Sequence, residues 1–187
     1  LVQGPNATGK TSLMRQIAGL LPLSAGEISV GGVDADIPVA EFCHYVGHLN
    51  GVKASLTVRE NLSFWNRFLR GDSGLDDVET ALGVFGLTEI ADVAAGFLSA
   101  GQKRKLALSR LFACARPIWL LDEPSVSLDT ASVERLGRAI KKHGEAGGIA
   151  IVSTHVPLAT TLSYTLDLHR LDPGWDDRHD ATKGVVA

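Results

Sequence analysis

The stretch Gly4-Pro5-Asn6-Ala7-Thr8-Gly9-Lys10-Thr11 limits the chain more than any other. It reads G-x-x-x-x-G-K-T, the phosphate-binding loop pattern. Leu1, Val2 and Gln3 before it read as the end of a buried strand. Ser12 to Ala18 after it carry apolar positions at helical spacing. Strand, glycine loop and helix is the context in which the pattern has a mechanism. Gly4 and Gly9 let the backbone curl so that N–H groups point inward, and the helix N-terminus adds the positive end of its dipole. Lys10 supplies a cation for the β- and γ-phosphates. Thr11 supplies a hydroxyl for Mg²⁺, which prefers hard oxygen ligands. Gly4, Pro5, Asn6, Ala7, Thr8, Gly9, Lys10, Thr11 and Ser12 are therefore the candidate nucleotide-binding residues, with a nucleotide's phosphate chain and Mg²⁺ as the implied ligands.

The rest of the chain reads as buried strands alternating with helices. Phe42 to Gly47, Ile118 to Leu121 and Ile149 to Ser153 are short apolar runs of the kind buried on both faces. Tyr164, Leu166 and Leu168 alternate as a late strand. Glu27 to Val30 also alternates, and Gly31-Gly32 predicts a hairpin with Val33 onward. Thr57-Val58-Arg59-Glu60 is a capping box opening a helix with Val58, Leu62, Trp65 and Leu69 on one face. Gly71 to Gly74 breaks that helix, and Leu75, Val78, Leu82 and Phe85 define the next. Phe64, Trp65 and Phe68 are expected to pack inward, with a partner-facing surface as the alternative. Ser99 opens a helix whose basic run Lys103, Arg104, Lys105 reads as a solvated first turn. Asp172 to Ala187 is polar and aperiodic, a loose tail. The implied fold is α/β, a parallel sheet with helices on both faces.

Bulk properties narrow the function. The chain has 187 residues, 45% hydrophobic, enough for one domain with a core. Net charge is −3, which argues against non-specific nucleic-acid binding. No run of 18 apolar residues is present, so the chain is not expected to span a membrane by itself. Nor does the start read as a signal peptide. Cys43 and Cys114 stand far apart without metal-ligand spacing and read as buried free thiols. Because a lone strand stub precedes the loop, further residues are expected upstream.

Three more groups carry chemistry. Asp122 closes a buried strand, where a carboxylate can hold Mg²⁺ opposite Thr11. Glu123, one residue on, can face an attacking water. His155 follows another buried strand, the end at which ligands of parallel sheets gather, and suits a sensor of the γ-phosphate. Ser99, Gly101 and Gln102 form a second helix N-terminus suited to phosphate, although one site is already complete.

Together these pieces resemble the ATP-binding domain of ABC transporters. Gly4 to Thr11 matches Walker A, Leu98-Ser99-Ala100-Gly101-Gln102 the LSGGQ signature, Leu120 to Pro124 Walker B, Ser127-Leu128-Asp129 the D-loop, and His155 the switch histidine. The resemblance implies a P-loop, RecA-like core with a helical subdomain over about 54–115, all within a single domain at 1–187. It implies that Glu123 is the catalytic base and that Ser99 and Gly101 bind the γ-phosphate held by a partner copy. A head-to-tail homodimer follows, with a multi-pass membrane subunit as partner and a peripheral place on the cytoplasmic face of the bacterial inner membrane.

Tyr45 to His48, Gly51 to Lys53, Leu56-Thr57, Glu60 to Leu62, Leu98 to Leu106 and Pro117 to Pro124 are further similar to the CcmA family. Members of that family are ATPase subunits of the haem-export complex of bacterial cytochrome c maturation. Three features depart from the wider family. Ala100 replaces a glycine, the adenine-stacking aromatic is expected upstream of Leu1 where the sequence does not reach, and Gly47-His48-Leu49-Asn50 lacks the usual metal- and water-contacting glutamine. His48 is the candidate to fill that last role. One alternative is an ABC transporter ATPase for another substrate. Rival readings of a different kind are a soluble ABC-type ATPase acting as a mechanical or assembly factor on DNA or ribosomes and a non-enzymatic scaffold. The short span from Ala54 to Phe97, the single domain, and intact Glu123 and His155 argue against them.

Overall fold

Ile118 to Asp122 is the strand on which the architecture turns, because every one of its residues is buried. Its side chains alternate between two apolar layers, as a strand with both faces covered must. Ile118 and Leu120 face a small cluster with Ile17, Tyr45 and Ile151. Trp119 and Leu121 face the larger core, with Val46, Leu62, Leu106, Leu136 and Val152.

The computed structural model describes residues 1–34, 36–70, 76–156, 158 and 160–168. In chain order its elements are β1 (Val2–Gln3), α1 (Lys10–Ile17), β2 (Cys43–Val46), α2 (Val58–Arg70), α3 (Asp76–Val84), α4 (Ala100–Ala113), β3 (Ile118–Asp122), α5 (Thr130–Glu145), β4 (Ile149–Ser153) and β5 (Leu166–Asp167). The five strands form one sheet in the order β2-β3-β4-β1-β5. Every pairing is parallel, with Val46 beside Leu121, Asp122 beside Ser153, and Val2 beside both Ser153 and Leu166. All strands therefore end on one edge, where Gly4, Gly47, Glu123 and Thr154 begin the following loops. α1 packs on β2 and β3, while α2, α3 and α4 pack on one another.

Local signals explain most element starts. At α2, Thr57 Oγ1 accepts from Glu60 N at 3.1 Å, and Glu60 Oε2 accepts from Thr57 N at 2.7 Å. At α5, Asp129 caps Ser132 N at 2.8 Å. Cys43 and Cys114 are buried and free. His44 is buried with Nε2 2.6 Å from the Cys114 carbonyl, and burial pulls its pKa down to about 4.

Three expectations are corrected. Residues 27–30 form no strand, and the hairpin at Gly31-Gly32 is a turn without a ladder. Alternation chooses a face but not a pairing partner, and a lone two-stranded ribbon is marginal in water. Phe64 and Phe68 are not core: they are 52% and 69% exposed and contact one another and Trp65 on the surface of α2. Leu62, Val58 and Asn66 occupy the buried stripe instead. Arg104, read as solvated, is 3% exposed. The break at 71–74, Leu75 and the tail from 172 lie outside the described residues.

Candidate functional site

The carboxyl edge of the sheet gathers the chemistry. After β1 the loop turns at Gly4, φ 147°, and Ala7 takes φ 66°. Positive φ at a non-glycine residue is a strained state that persists where surroundings impose it. Gly9 is the N-cap of α1, and no side chain caps that helix. Its first N–H groups thus keep their capacity for an anion. Lys10 is buried, and its ammonium donates to the carbonyls of Gly4 at 2.7 Å and Pro5 at 2.9 Å. A hollow of about 320 Å³ is lined by Val2, Gln3, Gly4, Lys10, Thr154 and His155.

Register brings the second half to the first. Thr11 Oγ1 donates to Asp122 Oδ2 at 2.8 Å, across 111 residues of sequence. Ser153, paired with Asp122 in the sheet, donates to Oδ1 at 2.7 Å. Asp122 is thus held on both oxygens while buried to 3% exposure. A threonine hydroxyl and a carboxylate at contact distance are hard oxygen donors of the kind Mg²⁺ takes, so the residues present fit that ion. Glu123 follows at φ 48°. Its Oε2 accepts from His155 N at 3.3 Å, and its Oε1 lies 3.5 Å from His155 Nε2.

Ser99, Gly101 and Gln102 form a separate group at the start of α4. Ser99 Oγ accepts from Gln102 N at 3.2 Å, and Gln102 Oε1 accepts from Ser99 N at 2.9 Å. A Cβ on Gly101 would stand 2.8 Å from the carbonyl of Ser127, so glycine is required there by close approach of the neighbouring loop. Ser127 itself takes φ 66°. Lys105 Nζ donates to Asp129 Oδ2 at 2.6 Å and holds that carboxyl well below the usual range. The hydrogen bonds of this turn go to its own cap, and Lys105, one turn on, ties α4 to the Ser127–Asp129 loop. His48 is exposed, and no hydrogen bond or ion pair holds it among the described residues.

Sequence reasoning missed Arg104, Asn50 and Ser153. Arg104 Nη1 donates to Gly47 O at 2.6 Å and to Asn50 Oδ1 at 3.2 Å, beneath the end of β3. A signal existed: Arg104 shares a helical face with Leu108 and Leu111, both buried. Burial pulls its pKa down, and the Asp122 and Glu123 carboxylates partly restore it. Ser153 was visible as a polar residue ending an apolar strand, but only register sets it against Asp122.

Residues 1–126 match the ABC transporter family. The chain belongs to the ABC transporter family. It is an ATP-binding, ATP-hydrolysing subunit of that type. It is 48% identical over 159 residues to the cytochrome c biogenesis ATP-binding export protein CcmA of a Chelativorans species, covering 84% of this chain and 78% of the relative. A Rhodopseudomonas palustris protein of the same description is 48% identical over 155 residues, covering 83% and 76%. Among solved structures, an ATP-binding cassette captured as a dimer with ADP and Pi superposes with a TM-score of 0.72 at 25% identity. That match covers 83% of this ABC subunit and 73% of the cassette. An ABC transporter ATP-binding protein from Pyrococcus furiosus matches with the same TM-score at 24% identity, over 90% and 82% of the two chains, and shares the fold.

Proposed function

We propose that this ABC subunit hydrolyses ATP in a site shared between two copies and so drives a membrane partner in haem export for cytochrome c maturation. The observation that carries the catalytic part is the Thr11–Asp122 hydrogen bond of 2.8 Å, with Lys10 and the Glu123–His155 pair on the same sheet edge. In this reading Gly4 to Ser12 wrap the phosphates and Lys10 leaves its two loop carbonyls for them. Thr11 and Asp122 would hold Mg²⁺, which supplies charge neutralisation on the phosphates. Glu123 polarises the attacking water. His155 steadies the γ-phosphate as charge moves onto the leaving oxygen. Ser99, Gly101 and Gln102 of a second copy close over that phosphate.

The 48% identity to CcmA proteins supports the export role. No helix among the described residues is long and apolar enough to cross a membrane. The translocation path then belongs to a multi-pass subunit, with this chain peripheral on the cytoplasmic face. The exposed Phe64 and Phe68 on α2 and the exposed His48 offer that subunit a surface. The helical region over about 54–115 is then the subdomain that carries the contact through Phe64 and Phe68, with His48 in the loop before it.

Complementation tests the reading. In a bacterium lacking its own CcmA, the intact protein should restore covalently haem-bound c-type cytochromes. Glu123→Gln should not restore them, although it accumulates normally. Normal cytochrome c with Glu123→Gln would sink the proposal.

A further inference from the structure

The guanidinium of Arg104 uses all five of its N–H groups, the full complement of that side chain. Nε donates to Pro124 O at 3.1 Å, and Nη2 to Asp122 O at 3.0 Å and Glu123 O at 2.7 Å. Nη1 takes Gly47 O at 2.6 Å and Asn50 Oδ1 at 3.2 Å. One planar group therefore grips three consecutive carbonyls where β3 ends, and also the loop after β2.

The middle residue of the three is Glu123, at φ 48°. A left-handed glutamate stays put only when its surroundings over-determine it. From the far side, Glu123 N donates to Ser153 O at 2.8 Å. The peptide units around Glu123 are thus held by β4 on one side and by Arg104 on the other. Arg104 also stands five residues into the helix that Ser99 caps.

We propose that Arg104 is a positioning residue for ATP hydrolysis, fixing the main chain that aims Glu123 and tying it to the Gly47–Asn50 loop and to α4. This rests on the reading of Glu123 as the group that polarises water. Burial alone would ask of Arg104 only that its protons find acceptors. Here all the acceptors but one are main-chain carbonyls, so what the arginine holds is the backbone itself.

The test compares kcat with nucleotide affinity in the intact protein. Arg104→Lys keeps the charge but offers three donors on a point ammonium, without the planar fork. It is expected to lower kcat at least tenfold, with the Kd for Mg-ATP within threefold of wild type. A kcat within twofold of wild type overturns the inference. So does a parallel loss of kcat, ATP affinity and melting temperature, which marks a merely structural arginine. If the lysine variant does not fold, Asn50→Ala decides, since it removes one acceptor and leaves the arginine in place. There kcat should fall about threefold at unchanged ATP affinity, and an unchanged kcat overturns the inference. Glu123→Gln run in parallel separates the two failures. If it still hydrolyses ATP, the reading of Glu123 falls. If it is dead while Arg104→Lys is active, only the role of Arg104 falls.

Discussion

The N-termini of α1 and α4 look alike in sequence, each a turn of small residues before a basic or amide side chain, and they are finished in opposite ways. α1 has glycine at its cap and no side-chain hydrogen bond there. Its lysine bonds to the carbonyls of the loop itself. α4 closes on itself with a complete capping box. The difference teaches where a ligand has to come from. An uncapped helix start with a buried ammonium beside it has donors to give, and an anion improves it. A capped start is already satisfied without one. Ser99 can still donate its hydroxyl proton and Gln102 its amide protons, but only to a phosphate delivered by something else. A site built around α1 of one copy and closed by α4 of another uses both kinds of end.

The largest effect should come from breaking the α1 side. Lys10→Ala removes a cation that makes charge-assisted bonds worth about 1.5–3 kcal/mol each. Mg-ATP affinity, measured by calorimetry, should fall at least a hundredfold in a protein that still melts cooperatively. Affinity within threefold of wild type would mean that the open helix start is not the phosphate site.

The second experiment sharpens the comparison by asking whether the capped end is needed for closure. With Glu123→Gln, ATP should trap a dimer visible by light scattering. Adding Ser99→Arg should return a monomer that still binds ATP. A dimer of unchanged stability in the double variant would take α4 out of the shared site.

A smaller effect is expected for Gly101→Ala. The new methyl would meet the Ser127 carbonyl at 2.8 Å. Crowding of this kind costs about 1–3 kcal/mol, read as a lower urea midpoint at unchanged slope. An unshifted midpoint would show that the D-loop gives way freely. Smallest is Ser99→Ala, which loses one cap bond, about 1 kcal/mol in the same assay, and leaves ATP binding by the single chain untouched. A loss of ATP affinity in that monomer would erase the distinction between the two ends.

Much of this was legible in the chain. The P-loop context, the buried strands, the capping box at Thr57 and the helix start at Ser99 rest on interactions within about four residues, and period and side-chain type report those directly. Asp122 and Thr11 could be paired because a strand-ending carboxylate and a P-loop hydroxyl imply a common edge. Burial and pairing across the fold were not legible. Arg104 stands among basic neighbours, of which Lys103 and Lys105 reach outward to Gly96 and Asp129, and only its helical spacing from Leu108 and Leu111 sets it apart from them in sequence. The aromatic stripe at Phe64 and Phe68 has helical spacing, yet which stripe of α2 is buried depends on what packs against it.

By itself the sequence determined the alternation of strands and helices, the anion-ready loop and the residue types that end the strands, because these follow from dihedral preference, periodicity and short-range hydrogen bonding. Tertiary structure alone decided the strand order β2-β3-β4-β1-β5 and, through register, the bond of Ser153 to Asp122. It also decided the left-handed Glu123 held between β4 and Arg104, and left the ribbon at Gly31-Gly32 without a sheet to join. Each of these depends on a partner far away in the chain, and a partner's position is a property of the packed molecule rather than of the segment that meets it.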